Sequence, residues 1–141
     1  MLQCFFYACN NDDRKETGKS ENDIDAARNF IRAALDGRFA EAKTYLLVDS
    51  SNIHYIEMAE INYDRADSAT KTGYRVASIN VHEVDPVNDS TTIVIYSNSF
   101  KNDHDSLKIL RLNGHWFVDL KYLYEHDRDT VSLKPVKDTL R

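Results

Sequence analysis

The amino-acid sequence predicts an α+β domain in which N-terminal helices pack on a curved, four-stranded antiparallel sheet. Three patterns lead to this prediction. From Asn22 onward, apolar residues recur every three or four positions, which is the period of an amphipathic helix. After Gly73 the apolar period falls to two, which is the period of a strand. Farther on, Asn113-Gly114 joins two strand-like segments and predicts a tight hairpin, because both turn residues need a positive φ.

The first helix has the clearest signal. It is expected to begin after a cap at Asn22 or Asp23 and to end at Gly37, where a left-handed residue commonly terminates a helix. Its apolar stripe consists of Ile24, Ala27, Phe30, Ile31, Ala34 and Leu35.

Two shorter signals complete the helical part. A second helix is predicted over Arg38–Leu47, so that the first two form a hairpin. A third helix is predicted over Asn52–Ala66, and the polar residues 64–73 are predicted to form a loop. The candidate caps of the third helix are Asp49, Ser50 and Ser51.

The sheet begins with the least regular strand. Tyr74–Val84 reads as a strand whose apolar phase slips between Val76 and Ile79, which suggests a β-bulge or a bend. Residues 85–89 contain Asp, Pro and Asn, and they predict a turn.

The remaining strands are predicted over Thr91–Phe100, Leu107–Leu112 and His115–Tyr124. Alternation in the last strand places Asp119 on the face opposite Trp116, which predicts a solvated carboxylate. The predicted core anchors are Phe30, Ile31, Leu35, Phe39, Leu46, Ile95, Trp116, Val118 and Leu120.

The composition is that of a soluble globular domain. The chain has 141 residues, of which 42% are hydrophobic and 29% are charged, and it contains eight Tyr, six Phe and one Trp. No stretch approaches the roughly 20 apolar residues that span a bilayer. The formal net charge is −5 and no run of Lys or Arg forms a basic stripe, so the sequence argues against nucleic-acid binding. We expect a tether over residues 1–21, a domain over 22–124 and a tail over 125–141.

The cysteines, Cys4 and Cys9, both lie in the N-terminal segment. Cys9 ends a short apolar run, and residues 10–22 then carry no apolar side chain. This arrangement resembles a bacterial lipoprotein processing site, in which the cysteine takes a diacylglycerol and becomes the new N-terminus. The resemblance implies a protein of the bacterial cell envelope, periplasmic or surface-exposed, that meets the membrane only through a lipid anchor at Cys9. The alternative is a pair of unpaired thiols in a floppy tail.

Three runs carry a second resemblance: Ala26–Leu46 (AARNFIRAALDGRFAEAKTYL), Ile93–Ser97, and Leu107–Lys121 (LKILRLNGHWFVDLK). Together they are similar to the nuclear-transport-factor-2-like (cystatin-like) superfamily, and within it to short uncharacterised bacterial lipoproteins. The resemblance implies a cone with an apolar interior and an open sheet face that often forms a homodimer. Because the superfamily includes isomerases, dehydratases, polyketide cyclases and non-enzymatic binding modules, the fold leaves the function open.

Two functions follow as expectations. The first is a non-catalytic module that binds a small apolar ligand or another protein, with Tyr45, Tyr55, Tyr96 and Trp116 as candidate pocket residues. The alternative for these aromatic residues is that they cover the core with their polar atoms at its rim. The second function is a dehydratase- or isomerase-like enzyme, which such a resemblance allows, with Asp119 as the acid/base. One carboxylate is not a catalytic constellation, so Asp119 is a weak candidate.

No metal or cofactor is expected. His54, His82, His104, His115 and His126 do not pair at metal-ligand spacing, and there is no phosphate-binding glycine loop. A repeated Asp-Ser/Thr triplet, as at Asp89-Ser90-Thr91, resembles the O-glycosylation signal of exported proteins in one bacterial phylum. Turns and helix caps explain the same triplets equally well.

Overall fold

The computed structural model describes residues 20–125, and over these residues the chain has the predicted α+β order of helices followed by an open, four-stranded antiparallel sheet. The predictions for Cys4, Cys9, His126 and the C-terminal tail concern residues outside this range. No helix between residues 20 and 125 combines the length and the apolar character needed to cross a membrane. The elements are α1 (Asp23–Leu35), α2 (Phe39–Thr44), α3 (Ser50–Arg65), α4 (Ser68–Val76), β1 (Ile79–Asn88), β2 (Thr91–Asn98), β3 (Asp105–Leu112) and β4 (His115–Asp119).

Helix α1 begins and ends where the sequence predicts. The side chain of Asn22 accepts a hydrogen bond from the backbone of Asp25 at 2.8 Å, which satisfies one of the free N–H groups of the first turn. Gly37 has a φ of +75°, and a Cβ at this position would lie 2.5 Å from the ring of Tyr63. Glycine therefore suits this backbone conformation, and a Cβ would also displace the end of the Tyr63 side chain.

The second predicted helix is too long. Helix α2 covers Phe39–Thr44, and the chain then continues as a short extended segment rather than as helix to Leu47. In this segment Leu46 pairs with Val118, so hydrogen bonding to the sheet replaces a further helical turn. Asp49 caps α3, as one of the three predicted candidates, and accepts from the backbone of Asn52 at 2.8 Å.

The loop predicted for residues 64–73 is wrong, because most of it belongs to α4. The side chain of Asp67 caps this helix by accepting from the backbone of Thr70 at 2.7 Å. At the other end, the guanidinium of Arg32 on α1 donates to the carbonyl groups of Tyr74, Arg75 and Ala77. These bonds satisfy C-terminal carbonyl groups that a helix leaves without partners. Helix α4 has no buried residue, and its C-terminal end is held by polar contacts with a distant residue, which a local sequence pattern does not reveal.

The first strand was also predicted too early. Tyr74–Val76 belongs to α4, and β1 runs from Ile79 to Asn88 through most of the predicted turn. Pro86 is tolerated because β1 is an edge strand, where a missing N–H donor costs little. The predicted irregularity exists, but it lies later, between Val81 and Glu83 and again between Pro86 and Asn88.

The sheet order is β1-β2-β3-β4 with consecutive antiparallel pairs. Strand β4 ends at Asp119 instead of Tyr124, and residues 120–125 turn into helix. The outer edge of β4 is covered by backbone hydrogen bonds. The backbone N–H of Trp116 donates to the carbonyl of Ser20 at 3.1 Å, and the backbone N–H of Val118 donates to the carbonyl of Tyr45 at 2.9 Å. Covering this edge prevents its free N–H and C=O groups from pairing with another chain.

The core lies between the helices and one sheet face. The fully buried side chains there include Leu46, Ile56, Val94, Leu107, Ile109 and Val118. Of the predicted anchors, Leu35 and Trp116 are only partly buried but pack against this core. Ile95 is not part of the core: it alternates with the buried Val94 and Tyr96 and therefore lies on the opposite face of β2.

Candidate ligand-binding site

A cavity of about 580 Å³ lies between the helices and one end of the sheet. Helices α1, α3 and α4 supply one side, and the end of β2, the start of β3 and residues 123–124 supply the other. Its volume falls within the range of small-molecule sites, which is roughly 300–1,000 Å³.

The cavity has two chemically different regions. One region is apolar and is lined by Phe30, Ile31, Ala34, Leu35, Phe39 and Leu123. The other region is polar and aromatic, and it is formed where β2 and β3 meet the loop between them. We call this second region the mouth and define it by Tyr96, Asn98, Lys101, Asp103, Asp105 and Tyr124.

Tyr96 and Asp105 occupy neighbouring positions in the mouth because they are paired across β2 and β3. Residues directly opposite each other in an antiparallel pair project from the same face of the sheet. Burial raises the pKa of the Tyr96 phenol, and the nearby carboxylate of Asp105 raises it further. The same two causes, burial first, raise the pKa of Tyr124. Both phenols therefore stay protonated at neutral pH and can donate to a ligand.

Only one of the four predicted pocket residues lines the cavity, and it is Tyr96. Tyr45 is buried in the core at 5% exposure. Tyr55 donates from its hydroxyl to Glu125 at 2.7 Å and stacks on Tyr124, with 4.7 Å between the ring centroids. Trp116 lies toward the opposite end of the sheet, where it pairs with Arg111. The structure therefore does not bring the four predicted residues together.

Asp119, the candidate acid/base, is buried at 4% exposure, so the prediction of a solvated side chain is wrong. Its carboxylate accepts from the side-chain amide of Asn52 at 3.2 Å and from the Lys121 ammonium at 3.1 Å. Asn52 is itself fully buried and accepts from the backbone of Leu120 at 2.8 Å. Asp119 is not among the residues that line the cavity. Its observed contacts join the end of β4 to the start of α3.

Asp103 and Asp105, which do line the mouth, were missed by the sequence reasoning. The loop was predicted to extend through residue 106, but β3 already begins at Asp105. A signal was present in the alternation of Asp105, Leu107 and Ile109, which places the carboxylate on the core-facing side of β3. Asp103 carries no such signal, because its position depends on how the loop folds back on the helices.

The histidines adopt one arrangement that their spacing did not indicate. His82 and His104 stack with 4.0 Å between ring centroids, and His82 Nε2 lies 2.7 Å from Ser97 Oγ. The β1 irregularity and the loop after β2 bring these two rings together from distant positions. Across residues 20–125, no cluster of three or more His, Cys, Asp or Glu side chains is arranged to hold a metal ion.

Three of the Asp-Ser/Thr triplets fall within the described residues. Asp67 caps α4, the triplet at Asp89 includes the β1–β2 turn, and Asp105 opens β3. The positions of Asp67 and Asp89 agree with the interpretation as caps and turns, whereas Asp105 lies in a strand. Ser68 and Ser90 are exposed, so the glycosylation hypothesis stays a prediction for both.

No protein-family model, no curated protein and no solved structure matches the chain. The function proposed below therefore rests on the residues and contacts of this chain alone.

Proposed function

We propose that the domain is a non-catalytic binding module whose cavity holds a small, largely apolar molecule. The observation that carries the proposal is a cavity lining that combines apolar side chains of α1 and α2 with polar groups at the end of β2 and the start of β3. Small-molecule sites generally combine apolar walls with a few polar groups that fix the orientation of the ligand. The mouth supplies such groups in Tyr96, Asp105 and Tyr124.

The contacts of Asp119 favour binding over the acid/base alternative. To act on a molecule in the cavity, this carboxylate would have to leave Asn52 and Lys121 and reach a space that it does not line. A general acid or base must lie within hydrogen-bond reach of the reacting proton. Asp119→Asn is expected to affect stability, whereas an effect on ligand turnover with an intact fold would support the enzyme alternative.

A cavity-filling substitution tests the binding function. We expect saturable binding of the neutral apolar dye Nile red with a blue-shifted emission. Ala59 on α3 lines the cavity, so Ala59→Phe should weaken dye binding by about 10-fold, because the larger side chain occupies the ligand volume. Ala40→Phe is the matched control, because Ala40 is exposed on α2 and does not line the cavity. Binding that is absent in the wild type, or equal in both variants, would contradict the proposal.

We also propose that this fold is a nuclear-transport-factor-2-like cone and that the cavity is its interior. Two motifs support the proposal: the helix-Gly-Arg-Phe motif forms the α1–α2 hairpin, and the Asn-Gly pair joins β3 to β4. Asn113 and Gly114 have φ values of +51° and +79°, as a tight hairpin requires. An experimental structure in which the sheet lies flat beneath the helices would contradict the cone.

A second candidate function is homodimerisation through the sheet face that points away from the core. Ile93, Ile95, Leu110 and Phe117 lie on this face and are half-buried. One row across it holds Asp85, Ile93 and Lys108 on neighbouring strands. If a second copy faces this sheet across a two-fold axis parallel to β2, its Lys108 meets Asp85 of the first copy. The face is thus complementary to itself in charge.

Charge reversal tests this dimer by sedimentation of the full chain. Lys108→Asp alone should shift the equilibrium toward monomer, because it places two like charges opposite each other. Adding Asp85→Lys to the same chain should restore the dimer. A wild-type chain that sediments as a monomer at 100 μM, or a double variant that remains dissociated, would count against this interface.

Finally, we propose that Cys9 carries a lipid anchor that holds the domain at the bacterial cell envelope. The support is the sequence pattern around Cys9 and the polar residues that follow it. In a bacterial host grown with a clickable fatty acid, the wild type and Cys4→Ser should take up the label, and Cys9→Ser should not. Equal labelling of both variants, or none in the wild type, would contradict the anchor.

A further inference from the structure

Of the described residues that define the mouth of the cavity, Asp103 and Asp105 are acidic and Lys101 is basic. The Lys101 ammonium lies 5.4 Å from the ring centroid of Phe100, so a cation–π contact already engages it. Within residues 20–125, Asp103 forms no ion pair. A ligand group of positive charge would therefore be favoured at this end of the cavity.

The walls of the cavity are rich in aromatic rings, two of which, Tyr96 and Tyr124, belong to the mouth. Tyr63, Tyr74, Tyr96 and Tyr124 all line the cavity. Aromatic rings attract organic cations through their quadrupole, and several rings around one cation form a common recognition site for ammonium groups. The ring of Tyr63 already attracts a cation of this chain, because the Lys71 ammonium lies 5.6 Å from its centroid.

Tyr96 adds a phenol hydroxyl group to the lining of the cavity. The residue is 9% exposed and lines the cavity, and its hydroxyl makes no hydrogen bond to any other residue between 20 and 125. The hydroxyl can therefore exchange a hydrogen bond with a polar group of a ligand in the cavity. The carboxylate of Asp105 lies beside it on the same face of the sheet.

From these three observations we infer that the ligand is an amphiphilic organic cation, with its ammonium group at the mouth between Asp105 and Tyr96 and its apolar body against Phe30, Leu35 and Phe39. Ammonium N–H groups would donate to the carboxylate and to the phenol oxygen, while the surrounding rings stabilise the charge. This inference rests on the proposed binding function and specifies the chemical class of its ligand.

Three probes that share a phenylbutyl body and differ in charge test the inference by titration calorimetry of the full chain. They are 4-phenylbutylammonium, 4-phenylbutan-1-ol and 4-phenylbutyrate. We expect the ammonium probe to bind about 10-fold more tightly than the alcohol, and the carboxylate probe to bind most weakly, because of the charge at the mouth. Equal affinities for the ammonium and the alcohol, or tightest binding of the carboxylate, would overturn the inference.

Substitutions in the mouth locate the charge recognition. Asp105→Asn and Asp103→Asn should each weaken the ammonium probe about 3- to 10-fold and leave the alcohol unchanged. Asp89→Asn, at the exposed turn between β1 and β2, is the matched control and should change neither probe. Tyr96→Phe should weaken the ammonium probe by removing its acceptor. If Asp105→Asn fails to fold, Asp103→Asn and the salt dependence of the wild-type affinity decide the outcome.

The two proposals fail in different ways. Binding of Nile red and of all three probes with equal affinity would contradict the cationic ligand and leave the cavity function intact. The absence of saturable binding for the dye and for every probe would contradict the cavity function itself.

Discussion

The side-chain amide of Asn52 donates to the carboxylate of Asp119 over 3.2 Å, and so joins two buried residues that are 67 positions apart. The carbonyl oxygen of the same amide accepts from the backbone of Leu120 at 2.8 Å. Asn52 thus fixes the point where β4 ends and the chain turns into helix.

Asn52→Ala should lower the free energy of unfolding by about 2–4 kcal/mol. The substitution leaves the Asp119 carboxylate and the Leu120 N–H with fewer partners in a buried site, and each unmet group costs about 1–3 kcal/mol. A urea titration measures the change, with Asn80→Ala on the exposed part of β1 as control. A loss below about 0.5 kcal/mol for Asn52→Ala would show that the contact contributes little.

The ion pair between Asp49 and Lys121 should make stability fall in acid. The hydrogen bond from Lys121, followed by that from the backbone of Asn52, lowers the pKa of the Asp49 carboxyl. Its stabilising contribution is therefore complete above the ordinary Asp pKa of about 3.9 and is lost as the pH falls through the lower folded pKa. Urea titrations between pH 7 and pH 2 should show that the wild type has the higher free energy of unfolding at neutral pH and that its difference from Asp49→Asn shrinks in acid. A difference that stays constant with pH would contradict this role.

A pair of substitutions tests the assignment of the sheet faces. Leu46→Ala should cost about 2–5 kcal/mol, because Leu46 is 1% exposed and packs in the core. Ile95→Ala should cost markedly less in a monomer, because Ile95 is half-buried on the opposite face. Thermal or urea unfolding of the two variants at low protein concentration provides the comparison. Equal losses would show that Ile95 belongs to a second core.

Arg32→Gln should loosen α4 before the rest of the fold. The guanidinium of Arg32 holds three carbonyl groups at the end of this helix, and an amide can replace one of these bonds at most. We expect amide hydrogens of α4 to exchange about 10-fold faster, while those of β2 and β3 change less. Arg28→Gln, at an exposed position of α1, is the control and should leave exchange in α4 unchanged.

The sequence was sufficient to predict the elements whose signals are local. Helix α1 has an apolar stripe, an Asn22 cap and Gly37 at its end, and the β3–β4 hairpin has its Asn-Gly turn. Each signal depends on a few neighbouring residues and on backbone geometry that few side chains permit. The α+β order follows from these local elements.

The remaining elements depend on distant partners. Helix α4 needs Arg32 from α1, and the end of α2 is set by pairing between Leu46 and Val118. The same limit applies to the candidate site. Asp119 is buried because Asn52 on α3 hydrogen-bonds to it, and Tyr96 lies beside Asp105 because of the pairing between β2 and β3. These contacts join residues that are distant in the sequence, so the pattern of a single segment does not predict them.

The pairing of Ser20 with Trp116 places the start of the described chain at one end of the sheet. Trp116 is opposite Arg111, and Arg111 lies six positions along β3 from Asp105 at the mouth, which is a span of about 20 Å. The described chain therefore begins at one end of the sheet, and the residues that define the mouth of the cavity lie at the other.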